Sequence, residues 1–276
     1  MTRSTYVDVA IGNCQSRTVT YRNITLSIDG NAATITLNRP ERRNALALDL
    51  MLELTDAFQA VAESDALGIV LAANGPVFSA GHDFRDMAGG DFLTIRNLFK
   101  VCTEMMDTIQ AVPQPVIARV HGLATAAGCQ LVATCDLAVA SGDAGFAIPG
   151  GKGGLFCHTP LVAVARNVGR KRALELAMTG DTIDAKTAAD WGLVNRVVPA
   201  DELDAAVADL LRRVTRGSAQ SKGMGKQTYY AQIDLPQSQA YSHAVEVMSA
   251  SATTRDAQEG ITSFLEKRPA VFTSRP

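Results

Sequence analysis

Short apolar runs that alternate with helix-like stretches constrain the fold of this chain more than any other feature of its sequence. The runs are GIVLAA at residues 68–73, PVIARV at 115–120 and DLAVA at 136–140. A helix-like stretch precedes each of them, at residues 46–62, 91–111 and 126–135. Strands that alternate with helices tend to pair in parallel, because a crossover helix returns the chain and covers a sheet face. The sequence therefore predicts an α/β fold.

The two ends of the chain differ from this alternating centre. Residues 1–22 are polar and weakly patterned, and we expect them to form a loose extension. A core predicted over residues 23–200 begins with a hairpin, in which ITLSI and ATITL flank Asp29-Gly30-Asn31. Residues 201–276 are almost entirely helical in pattern, so we expect a C-terminal region that acts as a lid or packs on a partner subunit.

The charge balance and the apolar runs exclude several functions. The chain has 26 Lys and Arg against 28 Asp and Glu, and a net charge of -2 provides no overall field for nucleic acid or an anionic membrane. No apolar run reaches the roughly 18 residues needed to cross a bilayer, and the first residues lack the pattern of a signal or transit peptide. We therefore expect a cytoplasmic protein that binds neither nucleic acid nor membrane.

The cysteines favour free thiols over disulfides or zinc ligands. They are odd in number, contain no C-x-x-C pair, and lie at Cys14, Cys102, Cys129, Cys135 and Cys157. Disulfide frameworks and structural zinc sites require paired, regularly spaced cysteines. We therefore predict no metal site.

A basic turn lies between the first hairpin and the first helix. LNRPERRNAL, at residues 37–46, places Arg39, Arg42 and Arg43 within five residues. A planar guanidinium group can donate two parallel hydrogen bonds to phosphate oxygens, so this turn is a candidate phosphate site. A solvated basic loop is the alternative.

Two further segments place small residues directly after predicted strands. GPVFSAGHDFRDM, at residues 75–87, continues from one strand into a turn. PVIARVHGLATAAGCQLVATCD, at residues 115–136, runs from a strand through a bend into a helix of Ala, Gly and Cys. Such turns and helix starts present unpaired N–H groups to an acceptor. Close packing of helix on sheet is the alternative for either segment alone.

Together these segments resemble the motifs of the crotonase (enoyl-CoA hydratase/isomerase) superfamily, NRP-x-x-x-NAL, F-S-A-G-x-D-x-x-x-M and N-G-x-A-x-G-G-G-C-E-L-x-x-x-C-D. The likeness continues through F-x-x-P at residues 146–149 and through residues 169–199, and it covers most of the chain from Ile24 onward. The A-A-G-C-Q and G-L-F-C-x-T-P stretches are similar to those of the enoyl-CoA hydratase domain-containing subgroup. The resemblance implies a spiral of β-β-α turns with a C-terminal helical region, a homotrimer or homohexamer, and an acyl-CoA thioester as ligand.

The resemblance also implies an oxyanion hole, in which two backbone N–H groups stabilise a thioester enolate. Carried over by position, the donors are the N–H groups of His82 and Ala127. Such a donor is worth ~2.7 to 4 kcal/mol in other oxyanion holes. Substrate contacts are expected at the arginines of the basic turn and at Ala45, Ala80, Asp83, Phe84, Arg85 and Lys267. Coenzyme A is part of the substrate, so no separate cofactor is implied.

Two positions depart from the family's pattern. Gln130 and Gly150 stand where the family's hydratases carry their two Glu residues. Hydration of an enoyl thioester needs groups that exchange protons, and neither an amide nor a glycine does so near neutral pH. His158 is a candidate acid or base, with a loop histidine bonded to backbone as the alternative. A dyad of His82 with Asp83 is not expected, because neighbours on an extended turn point apart.

The sequence therefore predicts an acyl-CoA-processing protein, nominally an enoyl-CoA hydratase or isomerase, that lacks both usual catalytic carboxylates. A second interpretation is another enolate reaction, isomerisation or decarboxylation, in which His158 or a bound water moves the proton. A third is a non-catalytic acyl-CoA-binding or regulatory protein. If the missing carboxylates alone limit hydration, Gln130→Glu combined with Gly150→Glu is expected to raise crotonyl-CoA hydration.

Overall fold

A computed structural model describes residues 17–276 of the chain, with side chains from residue 21 onward. Residues 1–16 of the predicted extension, with Cys14, lie outside the described residues. The strands are β1 Arg17–Thr20, β2 Ile24–Asp29, β3 Ala32–Leu37, β4 Gly68–Ala73, β5 Val116–Val120, β6 Ala124–Thr125, β7 Leu137–Ser141, β8 Gly145–Ala147, β9 Ile183–Asp184 and β10 Arg196–Val198. The helices are α1 Leu48–Ala62, α2 Phe92–Ala111, α3 Ala127–Thr134, α4 His158–Val168, α5 Arg170–Thr179, α6 Ala185–Trp191, α7 Leu203–Val214, α8 Ala219–Gln232, α9 Gln237–Ala252 and α10 Arg255–Leu265.

The strands form a seven-stranded sheet in the order β1-β2-β3-β4-β5-β7-β10 and a smaller sheet in the order β6-β8-β9. The first three strands of the large sheet pair antiparallel, and each later pair is parallel. The predicted alternation of strand and helix is therefore confirmed, and with it the α/β class. The predicted hairpin is also present, with Gly30 at φ 54, a left-handed conformation that glycine adopts at low cost.

Both faces of the parallel strands are covered, which explains why their sequences are continuous apolar runs. On one face, Val70, Ile117 and Val139 pack against α7. On the other, Ile69 and Leu71 join the larger core, to which α1 and α2 also contribute. Every residue of β4 is buried. This packing fixes the position of the turn that follows β4.

β1 and β9 are among the strands that the sequence analysis did not predict. β1, at Arg17–Thr20, pairs with β2 although residues 1–22 were expected to be loose. Its pattern is weak because an edge strand of four residues needs only one neighbour's hydrogen bonds. β9, Ile183–Asp184, lies in a segment for which no strand is predicted, and it pairs with β8. Two residues are too few to show a strand period.

The C-terminal helices bury little of their own surface. α9 has no buried residue, and α8 buries Gly223 alone. Large exposed apolar side chains on α8 to α10 and beyond are Tyr229, Ile233, Leu235, Tyr241, Val245, Met248, Ile261, Phe264, Leu265, Val271 and Phe272. α8 is tied to the sheet, because Lys226 Nζ lies 2.7 Å from the Asp136 carboxylate and Tyr230 donates to the same group at 2.8 Å. The helical character predicted for residues 201–276 is confirmed, while a lid or subunit-contact role stays a prediction.

None of the helices in the described part of the chain is long and apolar enough to cross a membrane.

Candidate active site

A cavity of ≈ 500 Å³ opens where the turn after β4, the start of α3 and the segment 149–160 meet. Phe99 of α2 closes one side. The cavity lining also includes Ala80, His82, Phe84, Met87, Ala127, Gly150, Leu155, Phe156, Cys157 and His158. The volume and the largely apolar lining are typical of small-molecule sites. The structure therefore brings together several of the predicted site residues from three separate segments.

In the turn after β4, the backbone N–H of His82 points away from Leu46, the residue that pairs with this turn. Leu46 donates its N–H to the Gly81 carbonyl at 2.7 Å and accepts from the Asp83 N–H at 3.2 Å. This is a parallel bridge around His82, so the N–H and carbonyl of His82 itself point to the opposite side. No acceptor for the His82 N–H occurs among the described residues. The His82 N–H is therefore unpaired among the described residues, and His82 is one of the residues that line the cavity.

The second predicted donor begins α3. Ala127 is the first residue of this helix, where N–H groups have no partner within the helix. Within residues 17–276 its N–H meets no acceptor. A Cβ added to Gly81 would lie 3.3 Å from the Ala127 nitrogen, so the two segments are in close contact. The two segments that carry the predicted donors therefore meet at the cavity wall.

Two small residues make this close approach possible. Ala126, before α3, has φ 50 and ψ -119, an unfavourable conformation for a residue with a Cβ. Its N–H donates to the Ala147 carbonyl of β8 at 2.8 Å, which holds the chain in place. Gly128 packs against the β4 turn, because a Cβ there would lie 2.5 Å from the Ser79 carbonyl oxygen.

The two positions that depart from the family's pattern lie in different surroundings. Gln130 is buried on α3 and does not line the cavity, and its Oε1 has no partner in the described structure. Gly150 lines the cavity, but a Cβ there would lie 2.1 Å from the Leu155 carbonyl oxygen and 2.7 Å from Cys157 Sγ. The gain expected from Gly150→Glu stays a prediction, and a side chain at this position requires the loop to shift.

The cavity is lined by no carboxylate among the described residues. Burial raises the pKa of the Cys157 thiol, whose sulfur accepts the Gly150 N–H at 3.3 Å, so it is not a thiolate at neutral pH. His158 begins α4 and is exposed, with its ring 5.2 Å from the ring of Phe156. Among the described residues that line the cavity, the side chains that remain as candidates for proton transfer are therefore His82 and His158.

The burial of the His82 side chain is a site feature that the sequence analysis missed, because it considered the ring only as a dyad partner of Asp83. Its ring meets Phe99 edge-on, with the ring centroids 5.3 Å apart, and both ring nitrogens are buried without a hydrogen-bond partner. Burial lowers the pKa of His82 below 6.5. As expected, no dyad with Asp83 forms, because that carboxylate pairs with Arg39 at 3.3 Å.

The predicted substrate contacts divide into residues at the cavity and residues elsewhere. Ala80 and Phe84 line it, and Phe84 is 72% exposed at its edge. Arg39 is held by Asp83 and by the Ala45 carbonyl, and it shares a shallow neighbouring pocket with Arg85. Arg42 and Arg43 are exposed on the turn. Lys267 follows α10 and is not part of the cavity lining.

The sequence and the structure are similar to those of known proteins. The family model for enoyl-CoA hydratase/isomerase matches residues 27–275. Rattus norvegicus enoyl-CoA hydratase domain-containing protein 3, mitochondrial, is 43% identical over 242 residues, which are 86% of this chain and 80% of that protein. The crystal structure of an enoyl-CoA hydratase from Mycobacterium smegmatis has a TM-score of 0.88 at 44% identity and covers 91% of this chain and 99% of that one. The crystal structure of human enoyl coenzyme A hydratase domain-containing protein 3 has a TM-score of 0.87 at 41% identity, over 91% and 100% of the two chains.

These comparisons confirm the crotonase-type fold and the resemblance to the domain-containing subgroup. They overturn the expected compartment, because the rat and human relatives carry the word mitochondrial in their names. The prediction of a cytoplasmic protein is therefore wrong. It depended on the polarity and charge of the first residues, which are a weak guide to an organelle.

Proposed function

Because the chain belongs to the enoyl-CoA hydratase/isomerase family, we propose that it binds an acyl-CoA thioester in this cavity and stabilises the enolate of that thioester between the N–H groups of His82 and Ala127. The observation that carries the proposal is the pair of adjacent, unpaired N–H groups in one cavity wall. Donors held by the fold before the reaction stabilise developing negative charge without reorganising. The apolar lining would hold the acyl chain.

The chemistry we propose is proton transfer at the α-carbon, and not efficient addition of water. A base removes the α-proton, and the electron pair of the C–H bond moves to the thioester oxygen, which the two N–H groups hold. Returning a proton to the same or another carbon completes exchange or isomerisation. Water addition by the usual route requires two carboxyl groups, and none lines the cavity within residues 17–276.

Exchange of α-protons in D₂O tests this function directly. Butyryl-CoA is followed by proton NMR with and without the protein, its affinity is measured by calorimetry, and crotonyl-CoA hydration is assayed in parallel. We expect binding, loss of the α-proton signal, and hydration far below ~10 s⁻¹, an ordinary enzymatic turnover. Hydration at that rate would contradict the proposed chemistry. Binding without exchange would favour the non-catalytic acyl-CoA-binding protein, and absence of binding would overturn both.

The phosphates of coenzyme A are expected to lie near Arg42, Arg43 and Arg85, beyond the exposed Phe84 at the cavity edge. Exposed guanidinium groups attract phosphate electrostatically, and added salt screens this attraction. Replacing these three residues with Ala should weaken butyryl-CoA binding and flatten its salt dependence. Arg39 is left in place, because its removal would leave Asp83 without its partner. Unchanged affinity in the triple variant would place the phosphates elsewhere.

We also propose a homotrimer or homohexamer that buries the apolar side chains of α8 to α10. Exposed groups such as Met248 and Phe264, at 72% and 82%, are favourable to remove from water. Sedimentation at micromolar concentration is expected to show three or six copies. A stable monomer would contradict this assembly.

A further inference from the structure

The His82 ring carries two polar atoms that are buried at the cavity wall, close to the backbone of Leu46. Both nitrogens are buried without a hydrogen-bond partner, and the residue lines the cavity. A neutral imidazole carries one N–H and one lone pair, and leaving either unpaired in a buried site costs about 1–3 kcal/mol. Native proteins rarely retain such a cost without a reason. A ligand that uses the ring is the simplest reason.

The surroundings of the ring keep it neutral near pH 7. Burial is the main cause of its lowered pKa, and the Leu46 backbone and the carboxylate of Asp86 each oppose this in part. Asp86 accepts the Leu48 N–H at 2.8 Å. Cys157 and His158 line the same cavity from the start of α4.

The other charged side chains near the ring either form an ion pair with another residue or line a different groove. Asp83, its neighbour in sequence, pairs with Arg39. Arg96 and Lys100 flank Phe99 on α2 and line the adjoining groove. The ring therefore packs against Phe99 and near the Leu46 backbone at the cavity wall, and as a neutral imidazole it keeps one lone pair that can accept a proton.

The position of the ring relative to the proposed oxyanion hole decides its role. The ring belongs to the residue whose N–H is one of the two proposed donors. Because the N–H and the ring belong to one residue, a thioester oxygen bound to that N–H would lie near the imidazole. His158, by contrast, is exposed to solvent on the other wall.

We propose that the His82 imidazole is the general base of this cavity and removes the α-proton of a bound acyl-CoA thioester. The inference rests on the proposed function above. The ring lone pair takes the proton, and the C–H electron pair moves to the thioester oxygen between the two N–H groups. The imidazolium formed lies beside the enolate and stabilises it, and it then returns a proton to carbon. In D₂O the ring exchanges its proton with solvent, so a deuteron returns.

Variants at residue 82 separate the ring from the backbone donor, because Ala, Asn and Phe all keep the N–H. We expect His82→Ala to lower α-proton exchange in butyryl-CoA by about 100-fold or more, the range for loss of a general base, with little change in affinity. His82→Phe, which keeps the contact with Phe99, should be as slow. Added imidazole should partly restore exchange in His82→Ala. His121→Asn is the matched control, because His121 bonds to the Gly75 carbonyl and does not line the cavity.

A second readout does not depend on turnover. The chain has 4 histidines, so the ring signal of His82 is assigned as the one missing from His82→Ala. Its NMR titration is expected to shift when butyryl-CoA binds, whereas the signal of His121 should not.

The outcomes separate the two proposals. If the wild-type protein binds no acyl-CoA, the proposed function fails. If it binds and exchanges the α-proton, but His82→Ala does so equally well, this inference alone fails. Loss of exchange in His158→Ala with full exchange in His82→Ala would assign the proton to His158 and overturn the inference. Loss in His82→Ala with rescue by imidazole supports it.

Discussion

The two walls of the cavity differ in how firmly the fold holds them. The donor wall, residues 79–82 and 126–128, is held by bridges to Leu46 and Ala124 and by a close contact between Gly128 and Ser79. The loop wall, residues 149–160, contains Gly150, Gly151, Gly153 and Gly154, and residues 151–155 are exposed. A rigid wall of backbone N–H groups suits charge stabilisation, whereas the loop wall carries Gly150 at one of the two positions where the family resemblance implies Glu. This difference supports the proposal that the chain polarises a thioester and does not add water by the usual route.

The largest loss of stability and of acyl-CoA affinity is expected when a methyl group is added to the donor wall. Gly128→Ala would place a Cβ 2.5 Å from the Ser79 carbonyl oxygen and 2.8 Å from the Ser79 Cβ. Overpacking of this kind costs about 1–3 kcal/mol or more, and shifting Ser79 also displaces the turn that carries the His82 N–H. Urea denaturation should show the loss of stability, and calorimetry a weaker affinity for butyryl-CoA.

The matched control is Gly225→Ala on α8, where nothing lies within 4 Å of the added Cβ. Alanine is the better helix former, so this variant should gain up to about 1 kcal/mol. Equal stability of the two variants would show that the donor wall is not tightly packed.

A smaller loss is expected for Gly150→Ala in the loop wall. The new Cβ meets the Leu155 carbonyl oxygen at 2.1 Å, but an exposed loop can move to relieve the contact. We expect a loss of about 1 kcal/mol, weaker acyl-CoA binding, and no gain in crotonyl-CoA hydration when Gly150→Glu is combined with Gln130→Glu. Gly153→Ala, which meets nothing within 4 Å, is the control. A clear gain in hydration by the double variant would disprove this account of the loop.

A gain in stability is expected for Ala126→Gly. The strained backbone at φ 50 and ψ -119 suits glycine, while the greater freedom of glycine in the unfolded chain offsets about 0.4–1 kcal/mol of the relief. The net gain should be below about 1 kcal/mol by urea denaturation. Ala133→Gly, within regular α3, should instead lose stability. Loss in both variants would show that Ala126 is not strained.

The smallest expected effect is a change in the free energy of unfolding with pH, caused by protonation of the His82 ring. Because burial lowers its pKa in the folded protein, the folded chain binds fewer protons than the unfolded chain, whose histidine has a pKa near 6.5. This contribution is present above pH 6.5 and is lost as the pH falls towards the lowered folded pKa. Urea midpoints measured above and below pH 6.5 should therefore fall more on acidification for the wild-type protein than for His82→Phe. Parallel curves would show that the ring is not effectively buried.

Much of the fold could be predicted because its signals are local. Residues 68–73 form β4 over the full predicted length, and the helices predicted at 46–62 and 91–111 appear as α1 and α2 with ends shifted by up to two residues. Burial on both faces requires continuous apolar runs, and sequence shows these directly. β1 and β9 were missed, because short strands owe their existence to a neighbour and not to their own pattern.

The sequence by itself determined the α/β class, the segments from which the cavity is built, and the identity of each residue at the two donor positions. Tertiary structure decided which polar groups have partners. Arg39 proved to be engaged by Asp83, Gly150 to lie where a side chain requires the loop to shift, and the His82 ring to be buried without a hydrogen bond. Pairing and free space depend on groups far apart in the chain, such as residues 39 and 83, and no local pattern of residue types records the distances between them.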